Sequence, residues 1–339
     1  MRQKENYRRS FLLKTTSLLF GGLFLKFGTV QATQYPANSD LDKKYFPGFK
    51  RIAIKTSETN ISGVVGGTGS PILLLHGFPE THLIWHKIAP LLSSHYTLVI
   101  PNLRGYGNSG KPDGGHNHNN YSKRVMAKDQ VEVMKQLGFK SFTVVAHDRG
   151  ARVAHRMALD YPTEVEKLVV MDIVPTYYLY TNTTKEFASA YWHWFFLIQD
   201  APIPEKLLQN NAVFFLKQWA FNGKVPASIP KDIFNQYLHH FSDYKTLHAM
   251  CEDYRAGATI DLEHDRNDLE TKIQCPLLVL WGTQGAMNSL YNVLDIWKER
   301  GLNVTGKALP FGHYMPEELP EQVYQEVISF LNSSLILSG

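Results

Sequence analysis

The stretch Val144-Val145-Ala146-His147-Asp148-Arg149-Gly150 decides the fold of this 339-residue chain. An apolar run, Phe142 to Ala146, reads as a buried strand, and helical spacing follows at once from Arg149 to Tyr161. Between them a carboxylate and a glycine stand at the spacing of a nucleophile elbow, G-x-S-x-G, with Ala146 in the place of the first Gly and Asp148 in that of Ser. Such a turn presents one side chain at the end of a strand, beside a helix N-terminus. A serine there attacks carbonyl carbon. A carboxylate is a weaker nucleophile, suited to displacement at saturated carbon, and it leaves an ester for water to cleave.

Working outward, the same strand–helix alternation recurs. Phe49 to Lys55 and Ile61 to Val65 read as an opening hairpin. Pro71 to His76, Tyr96 to Pro101, Leu168 to Met171 and Pro276 to Gly282 are continuous apolar runs, the pattern of strands buried on both faces of a parallel sheet. Helical spacing covers Ile84 to Leu92, Ser122 to Leu137 and Leu290 to Arg300; a last strand near Val304 to Leu309 precedes a C-terminal helix. From about 174 to 262 the pattern changes to aromatic-rich helix, as in Tyr191-Trp192-His193-Trp194-Phe195-Phe196. The chain is therefore expected to be α/β, a mostly parallel central sheet with a helical lid inserted after the strand that ends at Asp172. The core occupies 33–173 and 263–339, and the lid 174–262.

The elbow, the turn His76-Gly77-Phe78-Pro79 (H-G-x-P) and this alternation resemble the α/β-hydrolases. The resemblance implies a base after the last strand, where Phe311-Gly312-His313 stands. Many members carry the orienting acid after the penultimate strand, but Trp281-Gly282-Thr283-Gln284-Gly285-Ala286-Met287 holds no carboxylate. Asp172, at the end of the preceding core strand, is the acid expected instead; a helix cap or loop residue is the bland alternative. Backbone N–H groups of Phe78 and Arg149 are the expected oxyanion donors.

Further motifs narrow the resemblance. His147-Asp148-Arg149-Gly150-Ala151-Arg152, Asp172-Ile173-Val174-Pro175-Thr176, His193-Trp194 and Cys251-Glu252-Asp253-Tyr254-Arg255-Ala256-Gly257 together look like fluoroacetate (haloacetate) dehalogenases, from about residue 45 to the end. That family implies hydrolysis of a 2-haloacetate to glycolate and halide, without cofactor or metal, through an aspartyl ester on Asp148. It implies that Arg149 and Arg152 bind the substrate carboxylate, and that His193, Trp194 and Tyr254 hold the departing halide. Three residues apart on a first helical turn, the arginines can share a face, and guanidinium suits carboxylate. The alternatives are ion-paired arginines and aromatic core packing. An epoxide hydrolase would use the same Asp–His–Asp set with lid tyrosines, and a ligand-binding relative with incidental turnover is the third reading. Two arginines beside the nucleophile have no obvious use for a neutral epoxide.

Residues 1–32 read separately. Arg8-Arg9-Ser10-Phe11-Leu12-Leu13 opens an apolar run that ends in Val30-Gln31-Ala32, a small-residue cleavage pattern resembling a twin-arginine export signal. Lys14 and Lys26 interrupt the run, against a stable membrane span; an anchoring amphipathic helix is the other reading. Export to the periplasm is the expectation, although such enzymes are usually cytoplasmic. The segment holds six Lys or Arg and one Glu, so without it the formal charge falls from +4 to −1, and nothing favours nucleic acid as a partner. The expected partner is a small anionic haloacid; the family resemblance also implies a homodimer. Cys251 and Cys275 are read as two free, buried thiols, and His116-Asn117-His118-Asn119-Asn120 as a solvated loop rather than a metal site.

Overall fold

The computed structural model describes residues 39–221 and 223–333, so the export-signal reading of 1–32 lies outside the described residues. Eight strands form one sheet: β1 (Lys50–Lys55), β2 (Asn60–Gly67), β3 (Ser70–Leu75), β4 (Tyr96–Pro101), β5 (Phe142–His147), β6 (Val165–Met171), β7 (Leu277–Gly282) and β8 (Val304–Leu309). Their order is β1-β2-β4-β3-β5-β6-β7-β8. The pairings β1–β2 and β2–β4 are antiparallel and all others parallel. The fold is thus α/β, as the alternation implied. The apolar runs are buried because helices cover both faces: every residue of β5 is buried, and Leu73, Leu74, Leu75, Val144 and Val145 are wholly enclosed.

The order reverses around β3, where the chain passes first to β4 and later to β5 on the other side. The chain therefore leaves the C-terminal ends of β3 and β5 in opposite directions across the sheet, and the loops above these adjacent ends border a crevice, the usual ligand position of an open α/β sheet. β5 delivers Asp148 there, and the turn after β3 delivers Phe78.

Local details follow the sequence closely where polar and apolar residues separate cleanly. Ser122 caps the helix Lys123–Gln136, its hydroxyl accepting the Val125 N–H. The expected helix over 84–92 is instead a 3-10 turn, His82–Lys87, followed by a short α-helix, Ala89–Leu92, with Pro90 in its first turn. The expected helix over 290–300 is confined to Val293–Lys298. Between β6 and β7 the elements among the described residues are all helical, from Thr176–Thr181 to Ile260–Asn267, joined by turns and including a π-helical turn at Leu216–Ala220. Cys251 and Cys275 are free and buried.

The elbow is conformationally costly. Asp148 adopts φ +45° and Asp172 φ +54°, left-handed values that disfavour a side chain by about 1–3 kcal/mol each. The helix Asp148–Asp160 then runs directly beneath the end of β3, and a Cβ on Gly150 would overlap the His76 carbonyl oxygen and lie 2.8 Å from the Leu75 carbonyl carbon. Gly150→Ala is expected to cost about 1–3 kcal/mol by overpacking, read as a lower midpoint in chemical denaturation. An unchanged midpoint would contradict this packing.

Candidate active site

Asp148 lies at the mouth of the crevice. The Phe78 N–H donates to its Oδ1 at 2.9 Å. Gly77 must be a glycine for this approach, because a Cβ there would sit 2.5 Å from the Asp148 Cβ. Burial disfavours the Asp148 carboxylate, yet the neighbouring His313, His147 and Arg152 together with the Phe78 N–H outweigh it, and its pKa is lowered.

His313 follows β8 and bridges the two aspartates. Its Nδ1 stands 2.6 Å from Asp172 Oδ2 and its Nε2 3.8 Å from Asp148 Oδ2. Asp172 Oδ1 accepts the Gly282 N–H at 3.0 Å, so the carboxylate is fixed by the start of the loop that lacks an acid of its own. Burial would lower the His313 imidazole, but the hydrogen bond and charge of Asp172, with the charges of Asp148 and Glu80, raise it to about 9. At neutral pH it is an imidazolium between two carboxylates.

The two arginines occupy different surroundings. Arg149 is already paired: its Nε donates to Asp253 Oδ2 at 3.0 Å and its Nη2 to Asp253 Oδ1 at 2.8 Å. Lys123 also pairs with Asp253, and the Tyr106 hydroxyl donates to it at 2.7 Å. The guanidinium lies 4.2 Å from the Tyr254 ring centroid. Arg152 has no carboxylate partner among the described residues. Its Nη1 donates to the Val174 carbonyl and the Thr176 hydroxyl, both at 3.0 Å, its Nε has no partner, and it stacks 4.5 Å from the Trp194 ring. Burial and Arg149 lower it to about 10 despite Asp148, so it remains charged at neutral pH. The shared helix spacing thus gives one compensated and one uncompensated cation.

A cavity of about 440 Å³ opens on Asp148 and His313, with His193, Tyr254, Tyr191 and Trp219 in its wall. His193 and Tyr254 pack at 6.1 Å between ring centroids, and Trp194 and Tyr254 at 5.9 Å; Trp194 itself is buried behind the wall. Burial lowers the His193 imidazole to about 3, so it is neutral, and its Nδ1 has no partner. Burial and the Asp148 charge raise the Tyr254 hydroxyl well above its ordinary value, which keeps it a donor.

A family model for the alpha/beta hydrolase fold matches residues 70–318. The chain belongs to the α/β-hydrolase family. This hydrolase is 43% identical over 291 residues to a fluoroacetate dehalogenase of Burkholderia sp, spanning 85% of this chain and 96% of that one. It is 29% identical over 295 residues to a soluble epoxide hydrolase of Corynebacterium sp. (strain C12), spanning 79% and 92%. A solved relative described as an α/β hydrolase, ALR0039 of Nostoc sp PCC 7120, is 50% identical with a TM-score of 0.83, over 85% of this chain and 99% of that one.

Sequence reasoning missed several residues of the site. In the hydrolase, His147 Nε2–H donates to the His313 carbonyl at 2.8 Å, and its Nδ1 faces Glu80 Oε2 at 3.3 Å. Glu80 Oε2 also accepts the Gly77 N–H at 3.0 Å, tying the turn after β3 to the base loop. Glu80 stands in the turn and His147 beside Asp148, so adjacency was the available signal. Asp253 had only its place before Tyr254. Since Asp148 helps hold the His313 proton, Asp148→Asn should move the His313 titration, followed by imidazole NMR, below about 9. An unchanged midpoint would contradict the coupling.

Proposed function

We propose that the protein hydrolyses 2-haloacetates, fluoroacetate included, to glycolate and halide through an ester on Asp148. The observation that carries this reading is Arg152: a buried guanidinium with no carboxylate partner, close enough to Asp148 to hold its carboxyl down. A haloacetate carboxylate would supply the missing charge and offset its own repulsion from Asp148. The similarity to a fluoroacetate dehalogenase supports the same substrate class.

In this reading an Asp148 oxygen attacks the halogen-bearing carbon; the carbon–halogen bond breaks and its electron pair leaves with the halide. His193 and Tyr254, in the cavity wall, offer a neutral imidazole and an un-ionised hydroxyl as donors to the halide, and Trp194, packed behind Tyr254, would supply its indole N–H only if the wall opened. Fluoride accepts hydrogen bonds strongly as it departs, so donors placed in a water-poor wall favour it. Esterification removes the Asp148 charge and lowers the His313 pKa, so the imidazolium releases its proton to solvent and the neutral imidazole can take one from water. The hydroxide adds to the Asp148 ester carbonyl, with the Phe78 and Arg149 N–H groups as oxyanion donors. Collapse breaks the ester C–O bond, His313 returns its proton to the departing glycolate oxygen, and the proton of the new Asp148 carboxyl passes to His313, restoring the carboxylate and the imidazolium. Asp172 holds the imidazole in orientation throughout.

A second reading, epoxide hydrolysis, is favoured by Tyr191 and Tyr254 in the cavity wall and by the Corynebacterium relative. A panel of fluoroacetate, chloroacetate, a haloalkane and an epoxide separates the two. Free halide from the haloacetates is expected; diol formation without halide release would overturn the proposal. Arg152→Ala should raise KM for chloroacetate about tenfold or more, the scale of one lost charged hydrogen bond, with much less effect on neutral chloroacetamide. Equal effects on both would contradict the carboxylate role.

A further inference from the structure

A second cavity, about 420 Å³ against about 440 Å³ for the one on Asp148, lies on the far side of the segment that holds Arg152. Its floor is His155, Asp265 and Arg300, and its walls include Tyr177, Tyr178 and Ile296. His155 is 4% exposed, and its Nε2 is buried with no hydrogen-bond partner. Such an atom costs free energy unless something fills its bonding capacity. The nearest aromatic neighbour cannot do so: Trp297 meets the imidazole edge-on at 5.1 Å, and its indole N–H is committed to the Ile173 carbonyl at 2.9 Å.

The lining selects the chemistry of an occupant. Burial, with Arg300, Arg156 and Arg152 nearby, keeps His155 neutral, so it has no charge to offer an anion. Arg300 already donates to the Leu269 and Asp268 carbonyls. Asp265, raised to about 6 by burial and the Asp261 charge, adds a carboxyl that changes protonation just below neutral pH. A hydroxyl group is both donor and acceptor, so it satisfies His155 in either tautomer and Asp265 in either protonation state. The tyrosine and isoleucine walls suit an apolar frame behind that hydroxyl.

The position of the cavity links it to the active site. Arg152 Nη1 is held by the Val174 carbonyl and the Thr176 hydroxyl. Pro175 and Tyr177, on either side of Thr176, line the second cavity. His155 follows Arg152 by one turn of the same helix. We propose that this cavity is a binding site for a small uncharged alcohol or phenol, and that its occupancy alters Arg152 and hence haloacid affinity. The binding stands on the cavity alone; the effect on affinity rests on the haloacetate reading.

Phenol is the probe. Titrated into the full chain, it should shift the side-chain ¹⁵N resonances of His155 saturably and change the chloroacetate KM at least threefold. Thr181→Trp, at the exposed rim, should abolish both effects while leaving KM without phenol unchanged; His155→Leu, which removes the floor acceptor, should abolish the phenol effect on KM. No saturable His155 shift would overturn the site. A KM change that persists in Thr181→Trp would place phenol in the active-site cavity instead and overturn the coupling, as would saturable binding with an unchanged KM. If no haloacetate were turned over, the His155 titration would still decide the binding, so the two proposals fail separately.

Discussion

The site depends on one close approach, the ends of β3 and β5. Gly77 passes so near Asp148 that no side chain on the turn is compatible with it, and the elbow there is left-handed. The left-handed backbone at Asp148 lifts its carboxylate toward the Phe78 N–H instead of letting it follow the strand. Gly150 lets the helix pack under the same strand end. Strain at the elbow is held by the sheet on one side and the buried helix on the other, which is how a rigid core can present a charged side chain in a fixed position.

Charge is the second constraint. Three carboxylates, a raised histidine and two arginines cluster around the elbow, and the fold keeps them from cancelling completely. Asp253, shared with Lys123, compensates Arg149; Asp172 and Asp148 both face His313; Arg152 remains without a carboxylate partner among the described residues. A substrate that is anionic at one end and electrophilic at the next atom would complete that arrangement, which is the logic of the haloacetate reading. The proton on His313 is tied to the charge on Asp148, so esterification itself would prepare the base for the second half of the cycle.

Much of this was legible in the sequence, for physical reasons. Parallel strands buried on both faces appear as uninterrupted apolar runs, so β3, β4, β5 and β7 could be read directly, whereas β6 begins at Val165 and its polar start, Glu166-Lys167, hid three residues. The absence of a carboxylate after Trp281 pointed to Asp172, and the structure places Asp172 against His313. The pairing of Arg149 with Asp253 was not legible, because the two are 104 residues apart and meet only when the helix Tyr244–Ala258 packs over the elbow helix. Glu80 and His147 were hidden for a different reason, since each lies in a motif read for its neighbour. The cavity beneath Pro175 leaves no sequence pattern, being the space where four separate helices fail to close.

The central claim is that Asp148 itself bonds to carbon. A single turnover of chloroacetate by excess protein in H₂¹⁸O tests it most directly, with the glycolate and the Asp148 peptide analysed by mass spectrometry. Attack by Asp148 followed by hydrolysis at its carbonyl predicts unlabelled glycolate and one ¹⁸O in the Asp148 carboxylate. Label in the glycolate of that first turnover, with none in Asp148, would mean that water displaces the halide directly and would contradict the account.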